Sequence, residues 1–186
     1  DSEHGPIHLF KDRRVTLPEP FDDEYFRHIQ WAHFASGGAG GGMRWPNRHP
    51  HSLTAGMRAA QAGLARFLPL IEWSRLRRRN LNEELRSSSP ELALFGCGDD
   101  EQAVAWLLRT DSRAADGTLR REVEPLNATL AIPGLRPGSY RVTLWDTGCG
   151  AAIRTTTVRH AGGDLLCLPA LPVATDLAVA VRHCDV

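Results

Sequence analysis

Two spacings of apolar residues divide this chain. Over residues 21–35, "FDDEYFRHIQWAHFA", Phe26, Ile29 and His33 recur at helical spacing with Tyr25 and Ala32 beside them, which predicts an amphipathic helix. Its start is well marked: Asp22 reads as the cap, Asp23 and Glu24 suit the positive end of the dipole, and Phe21 with Phe26 has the spacing of a hydrophobic staple. A second helix is predicted over residues 52–68, where Leu53, Met57, Ala60, Leu64, Phe67 and Leu68 form one stripe and Ser52 or Thr54 supplies the cap. Pro69 then kinks or restarts the helix before "LIEWSRLRRR". Between the helices, "SGGAGGGMRW" is too rich in glycine to be helical and reads as a short buried strand near residues 38–44.

From Ser87 the period becomes two. Short runs at 92–97, 102–109, 126–132, 139–146, 152–159, 164–168 and 176–183 are separated by turn sequences such as "GDDE", "PGLRPGS" and "DTGCG". This pattern predicts a seven-stranded antiparallel β-sandwich, with a boundary at the polar joint "SSSP" that divides the chain into residues 1–86 and 87–186. In the run 102–109, Ala103, Ala105 and Leu107 lie on one face and Val104, Trp106 and Leu108 on the other, so a layer is expected on each side of that strand.

Composition narrows the function. Acidic and basic residues balance at 22 each, so no net field draws the chain to nucleic acid. No apolar run reaches the roughly 18 residues needed to span a bilayer. Cys97, Cys149, Cys167 and Cys184 show no metal-binding spacing, and the sequence leaves open whether they are thiols or disulfides. "HPH" at 49–51 lacks a nearby third ligand, and "GGAGGGMRW" has neither a complete dinucleotide fingerprint nor a phosphate-binding lysine. No metal or cofactor is expected.

The order of elements is more informative. A loop after Glu3, a helix, a glycine-rich strand ending at Trp45 and another helix form the repeating unit of a parallel α/β fold. If a strand ends just before Glu3, then Glu3 and Trp45 occupy the carboxyl ends of successive parallel strands, the face on which a (β/α)8 barrel builds its active site. The chain opens on "DSEHGPI" without an initiator Met, and it reads as the later part of a longer protein.

With "SEHGPI", "HIQWAHFASGGAGGGMRWPNRHPH" and a C-terminal region carrying "PGSYRVTLWDTGCG" and "GGDLLCLP", the chain resembles the end of a cellulase- or mannanase-type retaining glycoside hydrolase. The resemblance implies an α/β plus all-β protein, the C-terminal portion of a (β/α)8 barrel followed by a sandwich that packs on it. It further implies that Glu3 is the nucleophile and that Trp45 lies under the sugar at the cleavage point. His4 would orient Glu3 or contact substrate, and Arg44 and Asn47 would bond sugar hydroxyls. The residue-level alternatives are a loop carboxylate for Glu3, a loop histidine for His4 and a core aromatic for Trp45. The expected substrate is a β-linked polysaccharide or oligosaccharide. Retention requires a second carboxyl group about 5 to 5.5 Å from the first. The acid expected on a fourth barrel strand falls outside these residues, so the isolated segment is expected to be nearly inert. The alternative function is a non-catalytic carbohydrate- or matrix-binding or domain-packing sandwich.

Overall fold

A computed structural model of the chain describes residues 19–39, 53–112, 120 and 122–184, together with the backbone of short strands at 3–4, 7–10, 13–16 and 43–44. The N-terminal region holds β1 (Glu3–His4), β2 (Ile7–Phe10), β3 (Arg13–Thr16), α1 (Glu19–Ala35), β4 (Met43–Arg44) and α2 (Ala55–Phe67). β2 and β3 pair as an antiparallel hairpin, whereas β1 and β4 pair in parallel across α1.

Nine further strands follow: β5 (Arg79–Asn80), β6 (Arg86–Ser87), β7 (Leu92–Gly98), β8 (Gln102–Arg109), β9 (Leu126–Pro133), β10 (Gly138–Asp146), β11 (Ala151–His160), β12 (Leu165–Val173) and β13 (Asp176–Cys184). They form a six-stranded antiparallel sheet in the order β11-β10-β13-β8-β7-β5 and a three-stranded one in the order β12-β9-β6. The two sheets face each other over an apolar core that includes Ala105, Leu107, Tyr140, Val142, Leu144, Leu177 and Val179 from the larger sheet and Leu130, Ile132, Leu166 and Leu168 from the smaller. Alternation accounts for it, because successive side chains of each strand point to opposite faces.

The other face of the large sheet is equally dry, and the helices cover it. Val104, Trp106, Trp145, Ala178 and Ala180 from the strands pack with Trp31, Phe34, Ala35 and Phe67 from α1 and α2 and with Ile71 and Leu76 from the following loop. Trp31 stands edge-on to Phe67 at a centroid distance of 4.9 Å, and Phe67 stands edge-on to Trp145 at 5.7 Å. Such tilted pairs are worth about 0.5 to 1.5 kcal/mol beyond the area they bury.

This arrangement corrects the fold expected from sequence. No portion of a (β/α)8 barrel is evident; two helices and two antiparallel sheets dominate the described residues, in place of barrel strands followed by a seven-stranded sandwich. The physical reason lies in where the helices bury their apolar stripes. Trp31, Phe34 and Phe67 are spent on the antiparallel sheet, and among the described residues the glycine-rich segment contributes the two residues of β4 to parallel pairing.

Local signals explain the element ends. α1 begins at Glu19, so Asp22 lies inside its first turn and does not cap it. It closes in a Schellman motif: Gly38 N–H bonds the His33 carbonyl at 2.9 Å, Gly37 N–H bonds that of Phe34 at 3.1 Å, and Gly37 takes the positive φ of 92° that favours glycine. Thr54 caps α2 by accepting from the Met57 N–H at 3.0 Å, and its hydroxyl also donates to Asp23 of α1. After Leu70 the chain turns extended at Ile71 and does not resume the predicted helix. The buried Gln102 side chain holds it there, accepting from Glu72 N–H at 2.8 Å and donating to Glu72 carbonyl at 3.4 Å. Tyr140 anchors the same end of the sandwich by donating from its hydroxyl to the Arg136 carbonyl four residues back, at 2.7 Å. All four cysteines are free; Cys97 is fully buried under Gly37, and burial pushes its thiol up to about 11.

Candidate functional site

The sequence-derived candidates fall at the parallel strand pair. Glu3 is in register with Met43 and His4 with Arg44, so β1 and β4 run side by side in the same direction. Glu3, His4 and Arg44 therefore meet on adjacent strands at the level of the backbone. Trp45 and Asn47, the residues that follow β4, lie outside the described residues. The connection between the two strands runs through the β2–β3 hairpin and α1, and α1 packs against β4.

α1 also carries a second constellation, which the sequence reading does not single out. Glu24, Arg27, His28, Trp31 and Phe34 recur at helical spacing along the stripe that meets the large sheet. Asp176, the first residue of β13, points into that stripe with a side chain only 2% exposed. Its Oδ1 accepts from Arg27 Nη2 at 3.0 Å and from Thr175 Oγ1 at 3.1 Å. Its Oδ2 accepts from Trp106 Nε1 at 2.8 Å and from the hydroxyl of Thr147. Arg27 Nη2 also donates to Glu24 Oε1 at 3.3 Å, so one guanidinium nitrogen serves two carboxylates. The His28 ring lies beside them, 3.8 Å from Glu24 and 3.9 Å from Asp176.

The electrostatics follow from these neighbours. Burial alone would raise the Asp176 carboxyl, but the charge of Arg27 and the hydroxyl and indole donors outweigh it and hold the group below its ordinary 3.8. Burial dominates at His28 and holds the imidazole below its ordinary 6.5. The ring is therefore neutral at neutral pH, and Arg27 supplies the counter-charge. Asp176 accepts from four donors on its two oxygens and shares the Arg27 guanidinium with Glu24, which makes it a directional tie between layers. The cluster separates two hollows: one of about 670 Å³ lined by Glu19, Asp23, Glu24, Arg27 and Thr175, and one of about 200 Å³ lined by Tyr25, His28, Phe95 and Trp106.

Other candidate groups are occupied structurally. Trp106 and Trp145 are 0% and 5% exposed, which removes both as platforms for a ligand. Arg109 clamps three chain segments, forming a two-pronged pair with Asp111 and donating to the Glu124 and Ala174 carbonyls. Among the described residues no three His, Cys, Asp or Glu side chains converge to hold a metal ion. No protein-family model matches the chain, and no characterised protein matches its sequence.

Proposed function

We propose that this chain carries the nucleophile-bearing segment of a retaining glycoside hydrolase acting on a β-linked polysaccharide or oligosaccharide. The observation that carries the reading is the parallel register of β1 with β4, which sets a glutamate-bearing strand beside the strand that leads into Trp45. In this reading Glu3 attacks the anomeric carbon, the glycosidic C–O bond breaks, and a covalent glycosyl-enzyme forms that water then hydrolyses. His4, Arg44 and Asn47 hold the sugar hydroxyls, and the indole of Trp45 faces the apolar side of the ring. The acid that protonates the leaving oxygen comes from polypeptide outside residues 1–186. Acid assistance contributes about 10² to 10⁴ in rate, so residues 1–186 alone turn over natural substrate slowly. The sandwich serves packing: helices and the second sheet cover the central strands of its large sheet, and although β11 is exposed along residues 151–157, no row of exposed aromatic side chains lies on it among the described residues.

Trapping the intermediate tests the assignment. A 2-deoxy-2-fluoro-β-glycoside with a dinitrophenolate leaving group requires no acid to depart, so the nucleophile alone forms the adduct. Mass spectrometry of the protein containing these residues is expected to find the label on the peptide bearing Glu3, and none after Glu3→Gln. A label on another carboxylate, or unchanged turnover in Glu3→Gln, overturns the reading.

A further inference from the structure

We infer that the buried Asp176–Arg27 cluster is a positioning device, which fixes α1 and through it the β1–β4 pair in one register against the sandwich. The functional consequence rests on the assignment of Glu3 above; the mechanical one does not.

α1 has three working faces. One carries Glu24, Arg27, His28, Trp31 and Phe34 to the sheet, a second sends Phe26 to Met57 and Ala60 of α2, and the helix also packs against β4. The C-terminal half of the sheet contact is aromatic and apolar. Such contact is strong but non-directional, so it tolerates sliding and rotation of the helix. The N-terminal half is held differently. Four donors converge on the Asp176 carboxylate, from α1 (Arg27), from β8 (Trp106) and from the turns before β11 and β13 (Thr147, Thr175). That geometry is satisfied at one setting of the helix only, since displacement of α1 leaves a buried charge short of partners. The strand pair bearing Glu3 and Arg44 is joined through this helix, so its position relative to the sandwich is set by the same bonds.

A stabilising role and a positioning role separate in the double variant Arg27→Met/Asp176→Leu. Apolar residues of similar volume often replace a buried pair at no cost in stability. In the protein containing these residues, the double variant is therefore expected to be more stable than Arg27→Met alone, although Trp106 Nε1 and the Thr147 hydroxyl lose their acceptor. Amides in the peptides spanning β1 and β4 are nevertheless expected to exchange about tenfold faster, with β8 and β13 still protected. Turnover of a dinitrophenyl β-glycoside is expected to lose about 10- to 100-fold in kcat, with KM moving much less, because misplacement by about 1 Å has that effect on rate. Wild-type exchange at β1 and β4 in a stable double variant overturns the inference. Should that variant fail to fold, Thr147→Val removes one donor and leaves the ion pair; it is expected to speed exchange at β1 and β4 about threefold, and unchanged exchange there overturns the inference equally. Faster exchange in a protein whose Glu3 takes no label supports the positioning device and discards the hydrolase reading.

Discussion

The two faces of the large sheet are both buried over its central strands β10, β13, β8 and β7, yet they are built on different principles. The inner face meets the smaller sheet through Leu, Ile, Val, Ala and Tyr, with buried basic side chains, among the described residues, only at strand ends, Arg109 closing β8 and His160 closing β11 against Tyr140. The outer face meets the helices through larger aromatic rings and encloses an aspartate, an arginine and a histidine. Apolar contact supplies cohesion in proportion to area and is indifferent to small shifts, whereas a buried ionic cluster adds little net cohesion but rejects every misaligned arrangement. Strand hydrogen bonds already fix the register within each sheet. A helix laid on a sheet has no such ladder, and at this interface the charges supply the register.

The largest expected effect comes from halving the ionic cluster. Arg27→Met leaves Asp176 buried without its cation and should destabilise by about 3 to 5 kcal/mol, read as the shift in a urea unfolding midpoint. A smaller loss would mean that the outer face is held by its aromatic contacts alone. On the inner face, Leu130→Ala opens a cavity at a fully buried site and should cost about 3 kcal/mol by the same measurement. Unlike the arginine, it should leave amide exchange in α1 close to its wild-type pattern relative to the sheet. Tyr140→Phe removes one hydroxyl that bonds the Arg136 and Asp100 carbonyls and should cost about 1 kcal/mol. Loss of more than that would assign the corner a larger share of the sandwich's stability.

Mild acid is the gentlest probe of the difference. His28 is held below 6.5 in the folded state, so as pH falls below 6.5 the unfolded chain takes up a proton that the folded one refuses, and stability declines. Asp176 is held below 3.8, so the stability it contributes is present above that value and is lost as pH falls through the lower folded value. Thermal melts are expected to decline from about pH 6.5 downward, with His28→Gln flattening the upper part of the decline and leaving the lower part in place. A flat profile between pH 6.5 and 5 in the wild-type protein would contradict a neutral buried His28.

Much of the strand pattern was legible because period-two alternation reports burial directly. The run 102–109 was read at its observed bounds, and the apolar character of both its faces called for a covering layer on each. That layer is the α1 and α2 pair, not a barrel, since a single strand's faces do not say what covers them. β5 and β6 escaped detection because two-residue strands have no period. β12 extends to Val173, beyond the predicted end at 168, because Pro169 and Pro172 lie on an edge strand with a register shift between Leu168 and Leu171. Element order places Glu3 and Trp45 on successive parallel strands; β1 and β4 pair in parallel, and Trp45 lies outside the described residues. Asp176 was missed because the sequence shows only an acid before an apolar run. Its partners are 149 residues away at Arg27 and 70 away at Trp106, a separation no local pattern encodes.

Cys97 gives the outer face its own clock. The thiol sits in the core shared by the sheet and the helices, and the thiolate needed to attack a disulfide reagent is scarce while its pKa stands at about 11. Cys149 and Cys167 are exposed and Cys184 partly so, and these three react first, separating their signal from that of Cys97. The slow phase of thiol modification then counts openings of the helical layer in the folded population, without denaturant and without any substitution.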